Sequence, residues 1–182
     1  MIRTCLLLIS LLGAAFSAMA SPVTITEKRS LAPELEPFRP YIGKTYQGEF
    51  KDASSGKTAI DISQWERALN GQAIRILHSM NEGQYGGESI IFYDQSVKKI
   101  RFYYFTTAGF YTQGDAEFDG TTFISREQVT GNANGITEVR VKARFDADGH
   151  LSMDSEYLKG DTVANTSSAI YKVVTGKSPV FK

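Results

Sequence analysis

Residues 58–80, TAIDISQWERALNGQAIRILHSM, decide the fold. Asn70-Gly71 is a strong hairpin turn signal, and the runs on either side alternate in polarity as paired strands do. With Asn70 and Gly71 as the loop, Leu69 faces Gln72 and the register follows outward. One face then carries Trp65 opposite Ile76, Arg67 opposite Ile74, Ser63 opposite His78 and Asp61 opposite Met80. The other carries Glu66 opposite Arg75, an opposite-charge pair suited to an outer surface. A one-residue slip would turn every side chain over. The Trp65 face is therefore the inner one, and His78 points inward.

Working outward from this hairpin, the chain from Thr45 reads as ten short runs rich in Tyr, Phe, Ile, Val and Thr. These residues suit a pleated, half-buried surface. The runs fall at 45–51, 58–69, 72–80, 88–94, 99–106, 110–118, 121–130, 137–145, 150–158 and 168–175. An Asp119-Gly120 turn pairs Phe110 with Val129, Thr112 with Glu127, Gly114 with Ser125 and Ala116 with Phe123, so Glu127 faces inward. A turn across 145–151 pairs Phe145 with Leu151 and puts Val139, Val141, Ala143, Met153, Ser155 and Tyr157 inside. Outside it sets Lys142 against Asp154 and Arg140 against Glu156. The runs 88–94 and 99–106 are apolar on both faces, and their orientation stays open. Evenly spaced strands joined by hairpins predict an all-β, up-and-down antiparallel meander closing into a ten-stranded barrel. A two-sheet sandwich is the alternative.

In such a meander the connections alternate between two ends. Asn70-Gly71, QSVKK, Asp119-Gly120 and DADG collect at one end, where the Pro-rich segment SLAPELEPFRPYIG also enters and plugs the barrel. Its three prolines allow a helical turn or two at most. The longer connections DASSGK, NEGQYGG, TTAG, GNANGI and KGDTVANTS collect at the other, which is expected to be an open mouth. His78, Ser63, Asp61, Thr112, Glu127 and Tyr157 lie toward that mouth, and Arg67 lies deeper.

Residues 1–20 read as a signal peptide: Arg3, the apolar run CLLLISLLGAAF, and an Ala18-Met19-Ala20 cleavage site. The organisation expected is a signal over 1–20, an N-terminal extension and plug over 21–44, a barrel over 45–175 and a tail over 176–182. Cleavage removes Cys5, the only cysteine, and leaves 162 residues with 19 basic and 20 acidic side chains. The mature chain has no disulfide or thiol chemistry, and a periplasmic or secreted bacterial location is expected. Near-neutral, interspersed charge gives no basis for nucleic-acid binding, and stable membrane insertion is not expected.

LEPFRPYIGKTYQGEF, residues 35–50, followed by this meander, resembles the start of calycin-like barrels of the lipocalin-like and nitrobindin-like kind. Gly43, Tyr46 and Gly48 stand where that pattern places Gly, Trp and Gly, with Tyr for Trp and one extra residue before the aromatic. The resemblance implies a binder of small apolar or amphipathic molecules. Some members bind haem through a histidine on a late strand; here the only later histidine is His150, in a turn, so haem is not carried over. The last strand, SAIYKVV, lacks the Arg of the fatty-acid clamp. No cofactor is expected, and no His, Cys and carboxylate set is read as a metal site.

The candidate ligand-binding residues are Trp65, Arg67, His78, Thr112, Glu127 and Tyr157. Arg67 and Glu127 are anchors for a polar group, and the aromatics are cavity lining. An enzymatic alternative uses His78 and Glu127 as acid and base. Ser63, His78 and Asp61 are triad residue types, but Asp61 is only a diagonal neighbour of His78, and neither an oxyanion hole nor a strained nucleophile turn is evident. A third reading makes the exposed aromatics Tyr103, Phe105 or Tyr111 a docking site for a protein partner.

Overall fold

The computed structural model describes residues 30–51, 56, 58–130 and 134–182. Residues 1–29, which include the segment read as a signal, most of the DASSGK loop and the first half of GNANGI lie outside the described residues. Ten antiparallel strands follow one another around a closed barrel, and the first pairs with the last. They are β1 (Lys44–Lys51), β2 (Thr58–Ala68), β3 (Ala73–Met80), β4 (Tyr85–Asp94) and β5 (Lys99–Thr106), then β6 (Tyr111–Asp119), β7 (Thr122–Gln128), β8 (Glu138–Phe145), β9 (Leu151–Lys159) and β10 (Thr162–Val174). The meander expected from the hairpin signals is present, as a barrel rather than a sandwich.

The β2–β3 register is the expected one: Asp61 faces Met80, Ser63 faces His78 and Trp65 faces Ile76. The turn is wider than two residues, because Leu69 and Asn70 both adopt left-handed backbone angles and Ala68 pairs with Ala73. The register survives because two residues were added symmetrically. The β8–β9 register also holds, with Phe145 facing Leu151, Lys142 facing Asp154 and Arg140 facing Glu156.

The β6–β7 pairing differs from expectation by two residues. Asp119 faces Thr122 and Gly114 faces Glu127. Gly120 and Thr121 form the loop, with Gly120 at φ 59° in its first position, the place where a tight hairpin asks for glycine. An even shift leaves each residue on its expected face. The open question about β4 and β5 is resolved too: Ile91, Phe102 and Tyr104 point inward, while Phe92 and Tyr103 stack outside at 6.3 Å.

Two connections expected at the mouth are shorter than read. β4 begins at Tyr85, and the KGDTVANTS segment is a tight turn at Gly160-Asp161 followed directly by strand. Residues 162–167 read as loop because Asn165, Thr166 and Ser167 leave no apolar face after Ala164. β1 pairs with β10 only from Glu49–Ile170 to Thr45–Val174. Above that level β10 has β9 alone beside it among the described residues, so its other edge is exposed near the mouth, where polar residues discourage unwanted strand pairing.

The opposite end is plugged as expected. Pro33–Phe38 forms a short 3-10 helix, and Phe38 is fully buried against Tyr41, Trp65, Phe118 and Phe123. Tyr41 stacks on Trp65 with ring centroids 4.9 Å apart and also meets Phe145. Ala32 N–H donates to Gly71 O at 2.8 Å, and Arg67 Nε donates to Ser30 O at 2.8 Å. The plug is thus tied to the β2–β3 turn beneath the floor. After β10 the tail runs up the outside: Lys177 Nζ donates to Gln47 Oε1, and Val180 N–H donates to Ser79 Oγ. Among the described residues no helix is long and apolar enough to cross a membrane.

Candidate functional site

Above the plug, the mouth half of the barrel encloses a cavity of about 790 Å³. That lies within the ~300–1,000 Å³ range of small-molecule sites. Val129, Val139, Val141 and Met153 give it an apolar stretch along β7, β8 and β9, and Asp61, Glu127 and four tyrosines add polar groups, with Glu127 and Tyr157 both facing Val139.

His78, Thr112, Glu127 and Tyr157 all line this cavity, as expected from their register. Trp65 and Arg67 are not among its lining residues. Trp65 is 5 % exposed and capped by the plug aromatics, and the Arg67 guanidinium is engaged with the plug at Ser30. The reason is depth. Both share the inward face of β2, but that face is divided between cavity and floor.

His78 Nδ1 lies 2.9 Å from Asp61 Oδ1, and its Nε2 lies 2.7 Å from the Tyr104 hydroxyl. Asp61 is 4 % exposed, and its second oxygen accepts a 3.0 Å bond from the Tyr171 hydroxyl. The Tyr85 ring meets the same imidazole edge-on, with centroids 6.2 Å apart. The diagonal separation of Asp61 and His78 is bridged because inward side chains lean along the strands, within the reach of a ring and a carboxylate. Ser63, directly opposite His78, makes no bond to it. The base–orienter pair of a triad is present, and no described serine bonds to His78.

Two glycines permit this network. Gly48 lies between Tyr171 and Asp61 in one row across β10, β1 and β2. A Cβ on it would sit 2.5 Å from the Tyr171 ring. Gly87 faces His78, and a Cβ there would sit 2.5 Å from Tyr104 Cε2 and 2.1 Å from Phe105 O. Each glycine leaves the space through which a tyrosine crosses a strand to reach its partner. These tyrosines were not recognisable as site residues from sequence; the available signal was an inward glycine beside an aromatic on a neighbouring strand.

Glu127 accepts a 2.6 Å bond from Thr112 Oγ1. The pair is diagonal, since Gly114 faces Glu127. Burial pushes the Glu127 carboxyl above the usual glutamate range, and neither the Thr112 bond nor the His78 charge cancels that effect. Burial likewise raises Tyr85, Tyr104 and Tyr171, so all three hydroxyls stay protonated.

Outside the barrel, charge is paired rather than pooled. Arg75 bridges Glu66 and Glu88, while Lys99 and Arg101 both meet Asp115. Asp146, Asp148 and His150 bring ligand atoms within 4.8 Å of one another, a grouping not anticipated from spacing. It follows from the turn itself, where Asp146 Oδ1 accepts bonds from the backbone of Asp148 and His150. Fold and cavity together define a closed ten-stranded antiparallel β-barrel with one plugged end and one hollow end. No family model matches the chain, and no curated protein matches it.

Proposed function

We propose that the protein is an exported carrier that holds an apolar or amphipathic small molecule in a calycin-like barrel. One observation carries this reading: a floor of packed aromatics beneath a cavity of about 790 Å³ whose wall is part hydrocarbon and part hydroxyl. A barrel filled by its own side chains would spend these residues on packing; here they surround space. The His78 arrangement supports a wall role over proton transfer. Both ring nitrogens are engaged, and a general base needs one within reach of substrate.

Native mass spectrometry of the mature protein purified from its own source, followed by solvent extraction, tests the carrier reading. The expected result is a discrete added mass that releases an apolar or amphipathic molecule. An apo mass, together with no uptake of any apolar probe, would count against it.

A further inference from the structure

We infer that the cavity takes an amphipathic amine, its ammonium set against Glu127 and the tyrosine ring faces and its apolar body against the β8–β9 wall. This rests on the carrier reading above and narrows it to a ligand class.

The argument is one of charge and unused bonding capacity. Among the described residues lining the cavity there is no lysine or arginine. The one basic group, His78, has both nitrogens occupied by Asp61 and Tyr104. Asp61 is also occupied, with one oxygen on His78 and the other on Tyr171. Glu127 differs. Thr112 bonds its Oε1, and no described residue bonds its Oε2. It is therefore the acid with a free acceptor facing the space.

A carboxylate-headed ligand would enter a wall whose described residues hold two acids and no uncommitted cation, at a repulsive cost. A neutral ligand could bond to Glu127 but would supply no counter-charge. An ammonium supplies both a donor and the opposite charge, and a desolvated pair of this kind is stronger than a neutral bond. Tyr85, Tyr104, Tyr157 and Tyr171 add aromatic faces to the same cavity, which attract a nearby cation. Burial makes the lone Glu127 charge unfavourable, and an arriving ammonium relieves that penalty.

Decylamine, decanol and decanoate share a chain and differ in head group, and the amine is cationic at neutral pH. Titration calorimetry of the mature protein with each, kept monomeric, decides the class. Decylamine is expected to bind at least tenfold tighter than decanol, with decanoate weakest. Glu127→Gln, once shown to unfold as cooperatively as wild type, should abolish the amine's advantage and leave decanol binding unchanged. Equal binding of amine and alcohol, or tightest binding of decanoate, overturns the amine inference and leaves the carrier reading standing. Binding of none of the three overturns both. An amine preference that persists in the folded variant overturns the role given to Glu127. The wild-type series decides the ligand class whether or not the variant folds.

Discussion

Glu127 is an acid in a wall built mainly of hydroxyl and hydrocarbon. Burial raises its pKa in the folded protein, so the neutral carboxyl favours folding, and that contribution is lost as pH rises through the folded pKa. Glu127→Gln should therefore melt with wild type below the ordinary glutamate value of 4.5 and increasingly above it as pH rises. A melting difference that does not change with pH would show that burial does not penalise the charge. Gly87→Ala should cost about 1–3 kcal/mol as an overpacking change, since its Cβ meets both the Tyr104 ring and the Phe105 carbonyl. Tyr104→Phe, which removes the hydroxyl bonded to His78, should cost about 0.5–1.5 kcal/mol. Urea unfolding of the two variants separates ring displacement from the loss of one hydrogen bond. Tyr41 presents the reverse case. Its hydroxyl is buried without a partner among the described residues, and burial moves its pKa up to about 12. Removing that oxygen in Tyr41→Phe should stabilise the fold by about 1 kcal/mol or more, because an unmade buried bond is costly.

The plug helix shows how a short element can depend on its side chains. Six residues of 3-10 helix have little intrinsic stability, and the segment is held by Phe38, Leu35 and the ties at Ser30 and Ala32. Phe38→Ala should cost about 3–5 kcal/mol and shift Trp65 emission to the red as water reaches the floor. Emission unchanged from wild type would mean that another group covers Trp65. Arg67→Ala should loosen the plug yet leave the affinity of a cavity ligand unchanged; weakened binding would return Arg67 to the ligand set.

At this same scale, the parts legible in the sequence were those with symmetric turns and complementary outer charges. Glu66 with Arg75, and Lys142 with Asp154, fixed which face was inner. The Asp119-Gly120 reading misplaced its loop by one residue, and hence the register by two, but parity kept Glu127 and Thr112 inside. The first half of β10 was hidden because NTSS is polar on both faces at an unpaired edge. The network around His78 was not legible for a different reason. It depends on Tyr104, whose strand was apolar on both sides, and on gaps that only the closed barrel shows to be gaps.

For the molecule as a whole, closure joins residues at the two extremes of the barrel sequence, as in the pairing of Thr45 with Val174. Contacts so distant in sequence come late and slow folding. The two ends of the described chain then leave at opposite poles. Ser30 sits beneath the floor beside Arg67, while the final residues climb the outer wall until Val180 and Lys182 lie against the Gly83 turn at the mouth. For handling the protein this is a polarity. A tether fixed ahead of Ser30 presents the entrance to solution, whereas one fixed beyond Lys182 turns it toward the support. A dye attached at Lys182 would stand at the entrance, where it could report arrivals that Trp65, sealed below, does not see.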